Sequence, residues 1–507
     1  MNSNSKNRIV SKKNEQLDSQ IVGVEPSGIE ASVSGGDEKP ISFTKNDSNS
    51  GENMQNLGKL DLMTSQMTQK ENRDFFAREN VDPLTHAFKK KSSVHAGLGG
   101  KPVDRSRMTS LWDELMETPR DRRTALYIHI PFCRTHCLYC GFYINPVKSM
   151  SSQQYTNALI REMILGMGKA ANTKHPIHAV YLGGGTPTVL NPPDLKRLLK
   201  AIRFYLPLAN DCEITVESTV SDLNEKTLMA ALEGGANRFS VGVQTFDTTI
   251  RKSLGRTCDT DAIMKTLLRV RDTDNAVVVI DLIYGLPGQS MAIWEKDIET
   301  FMSLNLDGID LYQLNTFTGS PLEKALNAGK LPTAATISEQ ARMFERGVAK
   351  MKNARYRRIS MSHWGQGTRE RNLYNLLMKQ GAPCLPLGSG AGGSLHGYAC
   401  FTTNKLDAYF SALDEGKKPL AVLMEYPKQK PLIDSITGGL EVGYLDLAAV
   451  KKKHCFDLAH VCAPLIEQWE RVGLIERDGE WINLTIAGQF WQVNLAQALI
   501  DYCQKSM

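Results

Sequence analysis

Between residues 124 and 314, short apolar runs alternate with stretches whose apolar positions recur every three or four residues. The runs at 125–130, 178–182, 213–217, 238–243, 277–284 and 309–314 predict strands. Helical patterns lie between them at 153–168, 194–206, 225–233, 261–271 and 294–304. Strand and helix repeated in this way build βα units around a parallel sheet. The predicted fold class is therefore α/β, a partial (β/α)6 barrel followed by a C-terminal α+β, winged-helix-like extension. A parallel barrel keeps its working residues at the C-terminal ends of its strands, so any motif that carries chemistry should fall there or just after.

On either side of this repeat the pattern changes. Residues 1–80 contain no Trp, Tyr or Cys and only three Phe. They cannot bury enough apolar surface to offset chain entropy, and disorder is expected. Residues 81–123 supply scattered anchors (Leu84, Phe88, Leu98, Leu111, Trp112, Leu115) and read as an arm packing on the barrel, which spans 124–320. Residues 321–429 read as a loop-rich α+β extension, helical at 335–355 and Gly-rich at 363–398. Residues 430–507 read as helix, helix and short hairpin, the order of a small winged-helix module. Its stretch 465–475 carries Glu467 and Glu470 against Arg471, a poor surface for phosphates. No internal repeat of 20–50 residues is visible.

Composition narrows the function classes. The 507 residues carry 60 Lys and Arg against 55 Asp and Glu, a net charge of +5, too even a balance to argue for nucleic acid. The longest apolar-looking segment, 276–285, is interrupted by Asp281 and followed by Pro287, well short of the roughly 18 residues of a membrane span. The first residues lack an apolar core, so no secretory signal is expected and a cytoplasmic location is. Met63, Met67 and Met108 are alternative starts, since the first segment adds no recognisable chemistry. Ten cysteines in such a chain do not imply a disulfide framework. Cys455 and Cys462 share a helix face and read as core.

Three cysteines do demand an explanation. Cys133, Cys137 and Cys140 lie within eight residues, in Tyr127-Ile128-His129-Ile130-Pro131-Phe132-Cys133 and the loop after it. One loop with this spacing can wrap three thiolates around one corner of a metal cluster. A [4Fe–4S] cluster so held keeps one iron without a protein ligand, whereas ferredoxin runs supply four cysteines. The alternatives are zinc, which wants a fourth ligand that His136 is awkwardly placed to give, or three buried thiols. A second motif, Gly183-Gly184-Gly185-Thr186-Pro187-Thr188, follows the second strand, where glycines let backbone approach a ligand closely. Glu217 ends the third strand, Gln244 the fourth, and Arg256 follows in Leu254-Gly255-Arg256. Asp281 sits in a Val/Ile run, where an unpaired carboxylate is costly and implies a ligand or partner.

Taken together, these motifs resemble the radical S-adenosylmethionine (SAM) enzymes, in the subgroup that contains the oxygen-independent coproporphyrinogen oxidase. The resemblance is strong over about 120–320 and weaker elsewhere. It implies that Cys133, Cys137 and Cys140 hold the cluster, whose open iron chelates SAM and delivers the electron that cleaves it to methionine and a 5′-deoxyadenosyl radical. Tyr127, Gly184 and Glu217 match positions that serve the cluster-bound SAM. Gln244, Arg256 and Asp281, with Tyr139, Gly185 and Thr186, match positions that hold a second SAM molecule, an arrangement suited to radical methyl transfer.

Departures from the subgroup's patterns indicate a branch. Phe142 stands where the oxidase has a further cysteine. Arg371-Asn372-Leu373-Tyr374-Asn375 replaces the haem-carrier branch's His-Asn before Tyr-Trp, and Gly388-Ser389-Gly390-Ala391-Gly392-Gly393 lacks the subgroup's usual His. The arm segments Asp82-Pro83-Leu84-Thr85-His86-Ala87-Phe88 and Gly99-Gly100-Lys101-Pro102 look like the haem-utilisation branch. The tail pattern from Leu484 through Gly488, Phe490 and Trp491 to Asn494 and Leu495 fits it too. That branch comprises anaerobic haem-degrading methyltransferases. The resemblance then implies haem as substrate, a flavodoxin or ferredoxin-type reductant and a haem donor protein. A haem chaperone and a coproporphyrinogen oxidase are the alternatives. His363, His396, Cys384 and Cys400 are candidate haem-iron ligands, with ordinary packing as the competing reading of each.

Overall fold

The computed structural model describes residues 75–92, 96, 97, 99–142, 144–149 and 151–506. The segment expected to be disordered lies outside the described residues as far as residue 74, and so does Leu98.

Six strands follow one another across a parallel sheet: β1 Thr124–Ile130, β2 Ile177–Gly184, β3 Leu208–Thr219, β4 Arg238–Gln244, β5 Val277–Tyr284 and β6 Gly308–Gln313. Each pairs in parallel with the next. Their near-continuous apolar runs are what strands covered on both faces require. Between them run α1 Ser152–Met167, α2 Pro192–Tyr205, α3 Glu225–Gly234, α4 Thr260–Arg271 and α5 Met291–Leu304. The sequence marks the starts of four: Ser151, Asn224, Asp259 and Ser290 each accept a hydrogen bond from a first-turn N–H, satisfying donors the helix cannot. Every predicted strand and helix of this region is present, with ends shifted by a few residues. A further helix, α6 Ile337–Asn353, packs beside β6.

The sheet does not stop at β6. His363–Gly365 (β7) pairs antiparallel with β6. On the other side Cys384–Leu387 (β8) runs parallel to β1. Gly392–Leu395 (β9), Tyr398–Thr402 (β10) and Leu420–Glu425 (β11) continue the sheet as antiparallel strands. Lys101–Pro102 closes that edge against β11. The stretch read as loop-rich thus extends the barrel sheet on both sides. α7 Leu373–Lys379 lies on the concave face, where Leu373 and Leu377 pack on Ala125 and Ala179.

The last module follows helix, strand, helix, helix and hairpin: α8 Lys430–Val442, β12 Tyr444–Asp446, α9 Leu447–His454, α10 Ala463–Arg471, β13 Ile475–Asp478 and β14 Trp481–Leu484. Its small antiparallel sheet has the order β12-β14-β13. The N-terminal residues cover α10. Gln468 bonds both the N–H and the carbonyl of Ala77, Arg471 pairs with Glu79, and Trp491 donates to the carbonyls of Pro83 and Leu84. Residues 75–80, which composition groups with the disordered segment, are therefore anchored on α10 through Ala77 and Glu79. No described helix is long and apolar enough to cross a membrane.

Candidate active site

The cysteine loop leaves β1 and is pinned by its neighbours. Gly185 N–H donates to Ile130 O at 2.9 Å and Thr186 N–H to Phe132 O at 2.8 Å. A Cβ on Gly185 would lie 2.6 Å from Phe132 O, so only glycine allows the second motif to lie directly on the first. Farther along, Leu138 N–H donates to Leu254 O at 3.2 Å, and the Leu138 carbonyl accepts from Leu322 N–H at 3.0 Å. Three sections of backbone thereby fix the loop that carries Cys133, Cys137 and Cys140, all partly exposed.

The thiol environment suits metal binding. Thr186 Oγ1–H donates to Cys133 Sγ at 3.5 Å, and Phe142 N–H to Cys140 Sγ at 3.3 Å. Burial pushes the Cys133 thiol up to about 11, so a bound cation must displace its proton. Among the described residues, no three His, Cys, Asp or Glu side chains gather where a single metal ion would sit. Three thiols on one pinned loop, two of them already accepting hydrogen bonds, are the donor set that a cluster held by three cysteines would take.

On the inner face of the sheet, Tyr181 O–H donates to Glu217 Oε1 at 2.7 Å and Gly184 N–H to Glu217 Oε2 at 3.1 Å. A Cβ on Gly183 would fall 2.6 Å from the same carboxylate. Burial raises the Glu217 carboxyl above its ordinary range, with the two donors opposing. Tyr127 joins this group: its hydroxyl lies 3.0 Å from His129 Nδ1, and its ring lies near those of Tyr181 and Tyr374.

At the end of β4, a register shift after Gly242 leaves Gln244 with φ +65°, a left-handed conformation uncommon outside glycine. Its Oε1 is buried with no hydrogen-bond partner. Gln244 and Arg256 both overlie Gly242, where a Cβ would be 2.9 Å and 3.3 Å from their side-chain nitrogens. Arg256 also holds Tyr139 from the cysteine loop.

Asp281 lies deeper, accepting from Ser240 Oγ at 3.3 Å. Burial, then the Asp310 and Glu217 charges, push its carboxyl up to about 7. Beneath it runs a buried charge network. His363 bonds Asp310 at 2.7 Å and Glu370 at 3.2 Å, and Glu370 pairs with Arg238 at 3.0 Å.

The structure thus gathers many of the expected residues into three sets: Cys133 with Thr186 and the Gly185 backbone, Gly184 with Glu217, which Tyr127 joins through His129 and Tyr181, and Tyr139 with Arg256, which shares the space over Gly242 with Gln244. The expectation that all sit at strand ends needs correction for Tyr127 and Asp281, which lie mid-strand. Alternate residues of a strand face the lumen, so inward positions line it below the mouth as well. His363 is no haem ligand here, because carboxylates occupy both ring nitrogens. Cys400 is buried in the core. His396 is half-buried and its Nε2–H donates to Thr118 O at 3.0 Å.

Two side chains of the site were not singled out from sequence. His129 is buried, its Nε2 lacks a partner, and a Cβ on Gly184 would run into its ring. Burial holds its imidazole down at about 4, hence neutral. Tyr181 anchors Glu217. Their spacing, two residues from Tyr127 and from Gly183 on the same strands, was the available signal.

Comparison with known proteins agrees with this geometry. The family model described as Radical SAM superfamily matches residues 127–301. The chain is 39% identical over 419 residues to a protein named anaerobilin synthase from Escherichia coli O157:H7, covering 82% of this chain and 93% of that one. It is 28% identical to the heme chaperone HemW of Bacillus subtilis (strain 168), over 72% of this chain and 95% of the relative. Among solved structures, coproporphyrinogen III oxidase (HemN) from Escherichia coli aligns with a TM-score of 0.66 at 22% identity. That alignment covers 77% of this chain and 93% of the other, a likeness of fold.

Proposed function

The chain belongs to the radical SAM superfamily, and from that premise we propose that it is a C-methyltransferase acting on haem under anaerobic conditions. In this reading it opens the porphyrin ring to a linear tetrapyrrole and releases the iron. The observation that carries the reading is identity of 39% spread over 93% of a protein named anaerobilin synthase. The likeness extends well beyond the 175 residues of the shared family model (127–301), into parts that would recognise substrate.

Cys133, Cys137 and Cys140 would hold a [4Fe–4S] cluster, which when bound supplies the electron that splits SAM. The chain's own residues do the rest. Glu217, steadied by Tyr181 and the Gly184 N–H, offers an acceptor to the SAM at the cluster, with Tyr127 and Gly184 beside it. The unpartnered Oε1 of Gln244, with Arg256, Asp281, Tyr139, Gly185 and Thr186, would hold a second SAM as methyl donor. The surrounding barrel wall keeps water from the reacting groups. A flavodoxin or ferredoxin-type protein would supply electrons and a haem donor protein the substrate, in the cytoplasm.

The test is anaerobic incubation of the cluster-loaded chain with haem, SAM and reduced flavodoxin. Loss of the Soret band, with a linear tetrapyrrole carrying the label of methyl-deuterated SAM, is the expected result. The likeness to HemW supports a second reading, a haem chaperone. A Soret band that only shifts, or moves to an acceptor protein, would favour that reading and overturn the first. Rescue of haem auxotrophy would instead favour the coproporphyrinogen oxidase.

A further inference from the structure

The three stretches of backbone that meet at the cysteine loop depart from the charge balance of the whole chain. Residues 131–149, 250–256 and 315–324 hold six Lys and Arg and a single acidic residue, Glu323, whereas the full sequence has 60 against 55. Arg251 is buried and Arg256 is tied to Tyr139, while Arg134, Lys148, Lys252 and Lys324 are exposed. Glu323 is engaged in its own turn, where it accepts from Gly319 N–H at 2.6 Å. Of the four exposed cations, only Arg134 is in an ion pair among the described residues, with Asp222. We propose that this face docks a small acidic protein that carries a one-electron cofactor. It is the flavodoxin-type donor of the function proposed above, on which this inference rests.

The cations are carried by elements anchored on the loop itself. The helix Thr248–Ser253 ends beside it: Leu254 O accepts from Leu138 N–H, and a Cβ on Gly255 would lie 3.2 Å from His136 O. The helix Pro321–Asn327 begins against it, with Leu322 N–H donating to the Leu138 carbonyl. Leu138 lies between Cys137 and Cys140, so Lys252 and Lys324 are held within a few residues of the thiols.

Aromatic surface lies open at the same place. Phe142, two residues past Cys140, is 73% exposed, although its N–H is fixed on Cys140 Sγ. Phe317 is 43% exposed, and its ring would lie 3.6 Å from a Cβ on Gly141. Open apolar surface rimmed by charge marks an interaction site, and aromatic residues are enriched in interfaces. Electron-transfer pairs need only a small, weak interface.

Charge selects the occupant. A second copy of this chain would set lysine against lysine, whereas an acidic donor is drawn in by the opposite sign. In the docked pair one electron leaves the donor's reduced cofactor and enters the cluster held by Cys133, Cys137 and Cys140. No bond forms or breaks between the proteins, and the donor is left oxidised by one electron.

The test uses the full chain with its cluster reconstituted without oxygen, and a bacterial flavodoxin in its oxidised state, which passes no electron. Calorimetry reads the affinity at low and at high salt. Salt should weaken binding to the unaltered chain, and Lys252→Glu combined with Lys324→Glu should weaken it about tenfold or more. Phe317→Ser, which leaves the charges in place, should also weaken it, and Arg477→Glu on β13 should leave it unchanged. SAM cleavage driven by dithionite, a small ion that needs no docking surface, should persist in every variant. Where it does not, the milder Lys252→Gln with Lys324→Gln decides by the same affinity reading. The surface is overturned if the unaltered chain binds no flavodoxin, or if the charge and aromatic variants bind within about twofold of it; the methyl-transfer reading then stands. It is overturned equally if Phe317→Ser keeps flavodoxin and loses zinc protoporphyrin IX instead, which gives the ring to the substrate. If dithionite cleaves no SAM even in the unaltered chain, the cluster reading fails and the docking surface with it.

Discussion

Arg256 donates from Nε to the hydroxyl of Tyr139 at 2.7 Å, and from Nη1 to the carbonyl of Gly242 at 2.7 Å. One guanidinium thereby fastens the cysteine loop, which contains Tyr139, to the end of β4, where Gln244 turns its unpartnered oxygen inward. The site is therefore a set of loops held in register by side chains that also face the ligand space. That arrangement makes binding and order inseparable at these positions.

Tyr139→Phe removes the acceptor while keeping the ring. The Arg256 donor then loses a half-buried partner, which costs about 1 kcal/mol. A melting temperature lowered by several degrees, together with weaker SAM binding by calorimetry, is the expected outcome. Unchanged values of both would show that the contact does not hold the loop.

Cys137→Ala tests the cluster. Anaerobically reconstituted protein should carry about four irons per chain and give an electron paramagnetic resonance signal when reduced. The variant should lose both while its far-ultraviolet circular dichroism stays the same, because the parallel sheet does not rest on the loop. One equivalent of zinc in the unaltered protein would contradict the assignment.

The buried pairing of His363 with Asp310 and Glu370 predicts a pH dependence of stability. Burial alone would lower the imidazole, but the two carboxylates raise it to about 9. Its folded value thus lies above its unfolded one, near 6.5. The stabilisation is fully present below about pH 6.5 and lost as pH rises through 9. Urea unfolding should show stability falling across that interval, and His363→Gln should be less stable at pH 6 with a flatter profile. An equally steep decline in the variant would assign the effect elsewhere.

How far the sequence disclosed this molecule varies by region. The strands β1 to β6 were legible because each is a continuous apolar run bounded by helical periodicity, and the motifs hang on their ends. β8 to β10 were not. They are four or five residues long, β9 contains two glycines, and their pairing depends on partners distant in sequence, which composition does not encode. His363 was read as a possible metal ligand because a buried ion pair needs Asp310 and Glu370 brought beside it, and only the tertiary fold does that. Gln244 was found by motif, while the left-handed turn that aims it has no signal in an ordinary glutamine.

Asp281 tests whether the site sacrifices stability for function. Burial, with Asp310 and Glu217 nearby, raises its carboxyl to about 7, so its folded value lies above its unfolded one. Below the unfolded value, near 3.9, the group is protonated in both states and has no effect. As pH climbs toward 7 the unfolded chain ionises while the folded one resists, and the folded state loses stability, fully so above pH 7. Asp281→Asn should therefore stabilise the ligand-free protein at pH 8 and leave it nearly unchanged at pH 4, as read by chemical denaturation. The same variant should bind SAM more weakly, because the amide cannot offer a negative charge to a cationic ligand. An increase in stability at pH 8 accompanied by undiminished SAM binding would remove Asp281 from the binding set. A loss of stability at pH 8 would mean that its charge is already compensated within the fold.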